Sequence, residues 1–552
     1  MIWTIIVNLL NFMGALSLLL FGMEMLSDGI QKGVGESMQK LLKMISGNRF
    51  TAVLTGMAVT AIIQSSGATT VMVVSFVNAE IISLSQAIGI IFGANIGTTI
   101  TAWIVSFFGF SFSISAAAIP MFGIGFVLKY FKKLKIHDYA NVFMGFALLF
   151  LGLGLLSQSL KFGEKTTPLI LGLSNLGIWG NLTGVLIGAA MTALIHSSSA
   201  TTAIVLTMAY NGSLTWELSA ALVLGSNIGS TVDAVLSSLS GSTNAKRTAA
   251  VHVGFNIIGT LIALIVFKPF LSLIDVIVPG VPTENITTHI AMLHTVFNIS
   301  ATLIFLPFIK QIELLVKILI KDKDKKEDET HYVLPSIRKT SHIGVEFYQL
   351  TTEHEIANMA GKTMDMFDII YTSMLYHKKE ELEENLITIK KREEYIDEMQ
   401  QQLTEFLVKC ARMPTSNMKI RRHILTEIHI VDCIESLSDE ICAIMNTLYK
   451  YVSADSFNPD SEEYKQIKDY FDLVHLFYET VCQHLVIGFT EKEKSQHSEI
   501  EERIDKTQKD LKRLSRHRIE NGQNVKSELQ YIDIIRRIEK AGDWIYAIVR
   551  SK

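Results

Sequence analysis

Two hydroxyl-rich phrases, each set inside an apolar run, are the parts of this chain best equipped for chemistry. Gln64-Ser65-Ser66-Gly67-Ala68-Thr69-Thr70 recurs 132 residues later as His196-Ser197-Ser198-Ser199-Ala200-Thr201-Thr202. Gly93-Ala94-Asn95-Ile96-Gly97-Thr98-Thr99 recurs at the same offset as Gly225-Ser226-Asn227-Ile228-Gly229-Ser230-Thr231. A constant offset marks an internal duplication with no insertion between the paired phrases. Clustered hydroxyls in an apolar setting cost free energy unless something pairs with them. Two such clusters at matching places therefore point to a binding site where two repeats meet.

A helix broken at the Ser/Thr phrase offers backbone N–H groups and the positive end of its dipole to an anion. The hydroxyls of Ser65, Ser66, Ser197, Ser198 and Ser199 add donors, which suits an oxyanion rich in acceptors, such as phosphate. Neither phrase holds Lys or Arg, so helix dipoles or co-bound cations must balance the charge. The Gly-x-Asn-Ile-Gly phrases are expected to loosen their helices and free carbonyls. With the amides of Asn95 and Asn227 and the hydroxyls of Thr98, Thr99, Ser230 and Thr231 they form a neutral, hard-oxygen set that suits sodium. Asp233 takes the place of Thr101 in the second copy, and an acid inside a span is a candidate cation ligand or proton carrier. The competing expectation is packing alone: Ser and Thr hydrogen-bond the preceding turn, and Gly lets helices approach. His252 and His294, which open matching His-x-x-Phe-Asn phrases, are read as packing contacts, and Glu24 as interfacial.

The elements that must hold these phrases are apolar spans near 3–26, 84–107, 112–131, 139–160, 217–239, 248–274 and 288–310, each long enough to cross a bilayer. Segments 51–79 and 181–212 differ: each reads as two short apolar arms joined at the Ser/Thr phrase, a re-entrant hairpin. With the N-terminus outside, Lys32, Lys40, Lys43, Arg49, Lys129, Lys132, Lys133, Lys135, Lys246 and Arg247 fall on the cytoplasmic side, and only Lys161, Lys165 and Lys268 fall outside. Leu18-Leu19-Leu20-Phe21-Gly22 resembles Leu148-Leu149-Phe150-Leu151-Gly152, and Leu26-Ser27 resembles Leu156-Ser157. Three crossings separate these copies, so the repeats (about 3–131 and 139–274, with an extra span at 288–310) are expected to be inverted, with their hairpin tips meeting near the midplane. No cleavable signal peptide is expected.

Composition changes sharply near residue 320. Residues 1–320 carry 15 Lys/Arg and 11 Asp/Glu, and the rest carry 35 and 43, so the formal charge of −4 is the sum of +4 and −8. Nothing in this balance points to nucleic acid. After a linker at 321–344, the sequence to 552 reads as helices near 352–377, 379–413, 417–451, 461–489, 493–520 and 524–550, with breaks at Pro414 and at 456–460. They form two sets of three. The four cysteines all lie here and are expected to be reduced and packed in a helical core. Glu393/Asp397, Glu435/Asp439 and Glu539/Asp543 are acids four apart that share a helix face. Such pairs are candidates for a divalent or iron-type metal, although solvated surface is the commoner role.

The two Ser/Thr phrases and two Gly-x-Asn-Ile-Gly phrases resemble the sodium–phosphate cotransporter family of the type II kind, bacterial branch, over nearly all of residues 1–320. The resemblance implies an all-α polytopic membrane domain in the cell's inner membrane, with phosphate between the hairpin tips. Gln64, Ser65, Ser66 and Thr69 would contact phosphate from one tip, His196, Ser197, Ser198 and Ser199 from the other. Sodium as coupling ion would use the Asn95 and Asn227 regions, Thr201 and Asp233. His196, Gly67 and Asp233 each depart from the family's usual residue. Residues Ile534 to Asp543 and Ile434 to Asp439 resemble the PhoU family of phosphate-signalling regulators. That implies a cytoplasmic double three-helix bundle with bound metal, and a homodimer or signalling partner. An enzyme is disfavoured, since no nucleophile elbow, zinc or nucleotide-binding pattern appears.

Overall fold

The computed structural model describes residues 2–43, 48–78, 82–109, 114–131, 139–160, 172, 176–239, 241–321, 345–376, 378–412, 418–454, 457–485 and 488–552. The predicted segment 132–138, Lys161, Lys165, the linker 322–344 and Pro414 lie outside them. The regular structure among the described residues is all helix, without strands, and they fall into two compact units.

The first unit contains α1 (Ile2–Lys43), α2 (Arg49–Ile63), α3 (Ser66–Asn78), α4 (Leu84–Gly109), α5 (Ile114–Leu128), α6 (Ala140–Ser159), α7 (Ile178–Ile195), α8 (Ser198–Tyr210), α9 (Trp216–Gly229), α10 (Val232–Ser238), α11 (Thr243–Ile265), α12 (Phe267–Ile277), α13 (Ile286–Phe305) and α14 (Ile309–Leu319). Among its described residues, seven helical stretches are long and apolar enough to cross a membrane. They differ from the expected set in two ways. Ile178–Ile195, read as a short hairpin arm, has 18 residues and qualifies, whereas the predicted span 112–131, of which 112 and 113 lie outside the described residues, contributes the 15-residue α5 with Pro120, which is not among the seven. The first helix also runs on past its predicted span near 3–26, through Lys32 and Lys40 to Lys43.

Glycine decides how closely these helices pack. A Cβ at Gly93 would overlap the carbonyl oxygen of Val53, and one at Gly56 that of Ile90, so α2 and α4 meet backbone to backbone. Gly225 with Val185 and Gly188 with Leu222 repeat this contact between α7 and α9 at the 132-residue offset. At the next contact the copies exchange the small residue: Gly89 lies on Ala52, and Gly184 on Ala221. These glycines serve packing and leave their helix intact. Contrary to the expectation of a loosened helix, α4 is unbroken through Gly93 and Gly97. Only in the second copy does an interruption follow, at Ser230-Thr231 between α9 and α10.

The first helices of the two copies pack on each other. Gly22 faces Leu149, Gly29 faces Val142, Gly145 faces Leu26 and Gly152 faces Leu19. Partners descend along one helix as they ascend the other, so α1 and α6 run antiparallel.

The second unit contains α15 (Val345–Tyr376), α16 (Lys379–Ala411), α17 (Met418–Val452), α18 (Glu462–His484), α19 (Glu491–Glu520) and α20 (Val525–Ser551). Helices α15 to α17 pack on one another, as do α18 to α20, and α17 runs along α20. Buried tyrosines tie helices together through their hydroxyls: Tyr478 donates to Ala360 O at 3.1 Å, Tyr464 to Met374 O at 3.0 Å and Tyr470 to Ile504 O at 3.1 Å. The cysteines are free thiols, with Cys410 and Cys433 buried.

Candidate functional site between the duplicated hairpins

Each Ser/Thr phrase begins with a turn in the left-handed region. Gln64 (φ 56°, ψ 23°) ends α2 and His196 (φ 57°, ψ 26°) ends α7; among the described residues they are the only non-glycines with positive φ. Such a residue normally carries a conformational cost, so two matched cases mark a backbone shape held by its surroundings. Ser65 and Ser197 then cap the helices that follow. Ser65 Oγ accepts from the Ala68 N–H, and Ser197 Oγ from the Ala200 N–H, both at 3.2 Å. Both serines accept at their caps, which leaves the hydroxyl proton to donate elsewhere.

The threonines are used the other way round. Thr69 donates to Ser65 O at 3.0 Å, Thr201 to Ser197 O at 3.2 Å and Thr70 to Ser66 O at 2.8 Å. In the second pair of phrases Thr98, Thr99, Ser230 and Thr231 likewise donate to carbonyls of their own helices. Asn95 Nδ2 donates to Ile91 O at 2.9 Å. A hydroxyl that has given its proton to a carbonyl keeps only lone pairs to offer, which suits a cation and does not suit an anion. The Asn227 amide oxygen lies 3.0 Å from buried His294 Nε2.

The two tips are joined by one constellation that obeys the duplication. In the first copy Thr101 donates to Gln64 Oε1 at 2.8 Å, and its oxygen lies 3.4 Å from Ser199 Oγ of the opposite tip. In the second copy Asp233, which replaces Thr101, lies 2.7 Å from His196 Nδ1, which replaces Gln64. Its other oxygen rests against Gly67, which replaces Ser199: a Cβ there would lie 2.6 Å from Asp233 Oδ2. The three departures noted in the sequence are thus one exchange. A carboxylate is larger than the threonine hydroxyl, imidazole gives it a donor, and loss of the opposite serine side chain gives it room. The glutamine amide also donates to Ala61 O, so Gln64 braces its turn on both ends.

Sequence reasoning missed two contributors. Ser27 of α1 donates to Ile63 O at the end of the first arm (2.5 Å). Its counterpart Ser157 instead meets Asn211 Oδ1 at 3.0 Å, at the far end of α8. Thr60 donates to Thr69 Oγ1 at 3.0 Å across the first hairpin. Both are single hydroxyls in apolar helices, with no local signal apart from the duplication itself.

In the second unit the acid pairs regroup. Glu393, Asp397 and Asp439 come within 4.8 Å of one another, as do Glu501, Asp505 and Asp543, while Glu435 and Glu539 stay outside these tight sets. Burial first, then the charges of Asp397 and Asp439, raise the Glu393 carboxyl to about 7. The folded state therefore holds that proton more tightly than the unfolded chain, whose group titrates near 4.5. This contribution to stability is complete below about 4.5 and is lost as pH rises through about 7. Thermal unfolding of the full chain, followed by circular dichroism, is expected to show the second unit losing a few degrees between pH 5 and pH 8. Glu393→Gln should flatten that slope and raise the melting temperature at pH 8. An unchanged slope in the variant would show that Glu393 is not the titrating group.

The Na+/Pi-cotransporter family matches residues 18–158 and 174–311, the segments that carry both pairs of phrases. The chain is 29% identical over 273 residues to a Salmonella typhimurium protein named "Putative inorganic phosphate export protein YjbB", covering 49% of this chain and 48% of that one. It is 29% identical over 267 residues to the Bacillus subtilis protein YqeW, covering 48% of this chain and 83% of that one. It is 34% identical over 96 residues to the rat "Sodium-dependent phosphate transport protein 2A", covering 17% and 15%. This chain spans about half the length of the YjbB protein it matches. No solved structure matches. The family match covers half of the chain and contains the whole hairpin constellation, so the chain belongs to the Na+/Pi-cotransporter family.

Proposed function

We propose that this protein carries inorganic phosphate across a membrane, with sodium as the coupling ion and phosphate held between the two hairpin tips. The observation that carries this reading is the pair of reciprocal contacts, Thr101 with Ser199 and Asp233 with Gly67, which bring two serine-capped helix starts to one place. Ser65 and Ser197, with first-turn N–H groups, supply donors to the anion. Ser66, Ser198 and Ser199, buried beside them, complete the phosphate shell. Thr69, Thr98, Thr99, Thr201, Ser230 and Thr231, whose protons are engaged in their own helices, face sodium with oxygen lone pairs, joined by Asn95, Asn227 and the Asp233 carboxylate. Gln64 and His196 hold the turns. The antiparallel packing of α1 on α6 supports inverted repeats that rock about the site, giving alternating access. In this reading the protein sits in the cytoplasmic membrane, and the second unit is a cytoplasmic PhoU-like regulator through which a homodimer or signalling partner acts. A divalent cation would relieve the repulsion among Glu393, Asp397 and Asp439.

The name of the YjbB relatives favours a second reading, outward phosphate flux. Reconstituted vesicles separate the two. Labelled phosphate should accumulate under an inward sodium gradient and not under a matched potassium gradient; release that needs no sodium would favour export. Ser66→Ala and Ser198→Ala leave both caps in place and are each expected to lower sodium-driven flux roughly tenfold or more, about 1.4 kcal/mol of lost stabilisation. Parent-like flux in both variants, with unchanged folding, would remove the hairpin tips from the mechanism.

A further inference from the structure

Outside the membrane unit, one polar cluster is largely buried, around fully buried Glu427, where nothing in the transport reading needs it. Glu353 on α15 and His423 and Glu427 on α17 bring three ligand atoms within 4.8 Å of one another. His423 Nε2 lies 3.0 Å from Glu353 Oε1 and 3.2 Å from Glu427 Oε1. A single Nε2 proton cannot serve both. It bonds Glu353, and Glu427 Oε1 is left without a hydrogen bond although Glu427 is only 1% exposed. A buried carboxylate oxygen that only shares its neighbour's charge, without a hydrogen bond of its own, is costly. An ion in place of that proton would satisfy all three atoms at once.

We propose that Glu353, His423 and Glu427 form a binding site for a first-row divalent cation of the zinc class. A tetrahedral ion with ligands at roughly 2.0–2.1 Å sets donor atoms about 3.3 Å apart, close to the 3.0 Å and 3.2 Å that separate His423 Nε2 from the two carboxylate oxygens. His423 and Glu427 are four residues apart and share one helix face. Two carboxylates and a neutral imidazole balance a divalent charge, whereas a protonated imidazole leaves one negative charge in excess. Thr352 Oγ1 donates to Glu427 Oε2 at 3.1 Å and orients the carboxylate from behind. Glu353 and His423 keep 18% and 28% side-chain exposure, which gives the ion a way in.

The test uses the full chain in detergent, stripped by a chelator and titrated with Co2+ as spectroscopic probe. The parent should take one equivalent with the visible absorption of tetrahedral cobalt, and Zn2+ should displace it and raise the melting temperature. His423→Gln and Glu427→Gln should each lose that equivalent. His517→Gln, at an exposed histidine on α19, should keep it. Thr352→Ala should weaken binding roughly tenfold to a hundredfold, and decides the matter if the ligand variants fold poorly. A parent without the tetrahedral signature, or a folded His423→Gln that retains it, overturns the site.

Discussion

Gly225→Ala is expected to unseat the second hairpin. The added methyl would overlap the Val185 carbonyl oxygen, a backbone atom that cannot rotate aside. The reciprocal contact of Gly188 with Leu222 lies in the same seam, so α7 and α9 must separate along much of their length. Overpacking of a core costs about 1–3 kcal/mol where side chains can adjust, occasionally more. A backbone obstacle puts this case at or above the upper end, a large share of a total stability of roughly 5–15 kcal/mol. Gly93→Ala should do the same to the first hairpin through Val53. Gly154→Ala, in α6, meets nothing within 4 Å and should leave folding unchanged. Fluorescence-detected size exclusion after heating would read all three. A Gly225→Ala protein that melts like Gly154→Ala would mean that the helices are not in backbone contact.

Gly67→Ser is expected to disable transport alone and to be rescued by Asp233→Thr. The serine Cβ would press on Asp233 Oδ2 from 2.6 Å and push the carboxylate off His196. Replacing Asp233 by threonine restores the arrangement of the first copy, in which the Thr101 and Ser199 hydroxyls lie 3.4 Å apart. The single substitutions should thus be strongly non-additive, with a coupling of roughly 0.5–3 kcal/mol in melting experiments. Gly67→Ser should lose at least about tenfold in phosphate flux, which is about 1.4 kcal/mol. The double variant should fold like the parent, and its sodium dependence would then report what the carboxylate contributed. Additive losses in flux and stability would show that Gly67 and Asp233 do not share one space.

The duplication was legible because two phrases keep one offset, and no tertiary information is needed to see that. The helices of the second unit were legible to within a few residues at most boundaries, because apolar residues recur at three and four; α15 begins seven residues earlier than its pattern suggested. The αL turns at Gln64 and His196 were hidden, since glutamine gives no signal for positive φ, a lone histidine only a weak one, and tertiary packing imposes it. The glycines of α4 were misread because a glycine can loosen a helix or admit a neighbour, and only the Val53 carbonyl shows which applies. His196, Gly67 and Asp233 were each visible as departures, but their dependence on one another exists only across the fold. Glu353 is 70 residues from His423, so no local spacing could have joined them.

The α1–α6 seam has a consequence for ancestry. Within the repeated Leu-x-x-Gly phrase, Gly22 meets Leu149 and Gly152 meets Leu19, so each leucine touches its counterpart's glycine. A contact with that reciprocity is self-complementary, as in a symmetric homodimer. Two separate chains, each carrying one copy, could meet along this seam through the same residues. This seam between the halves thus has the form of a dimer interface, one that two unjoined copies could also make.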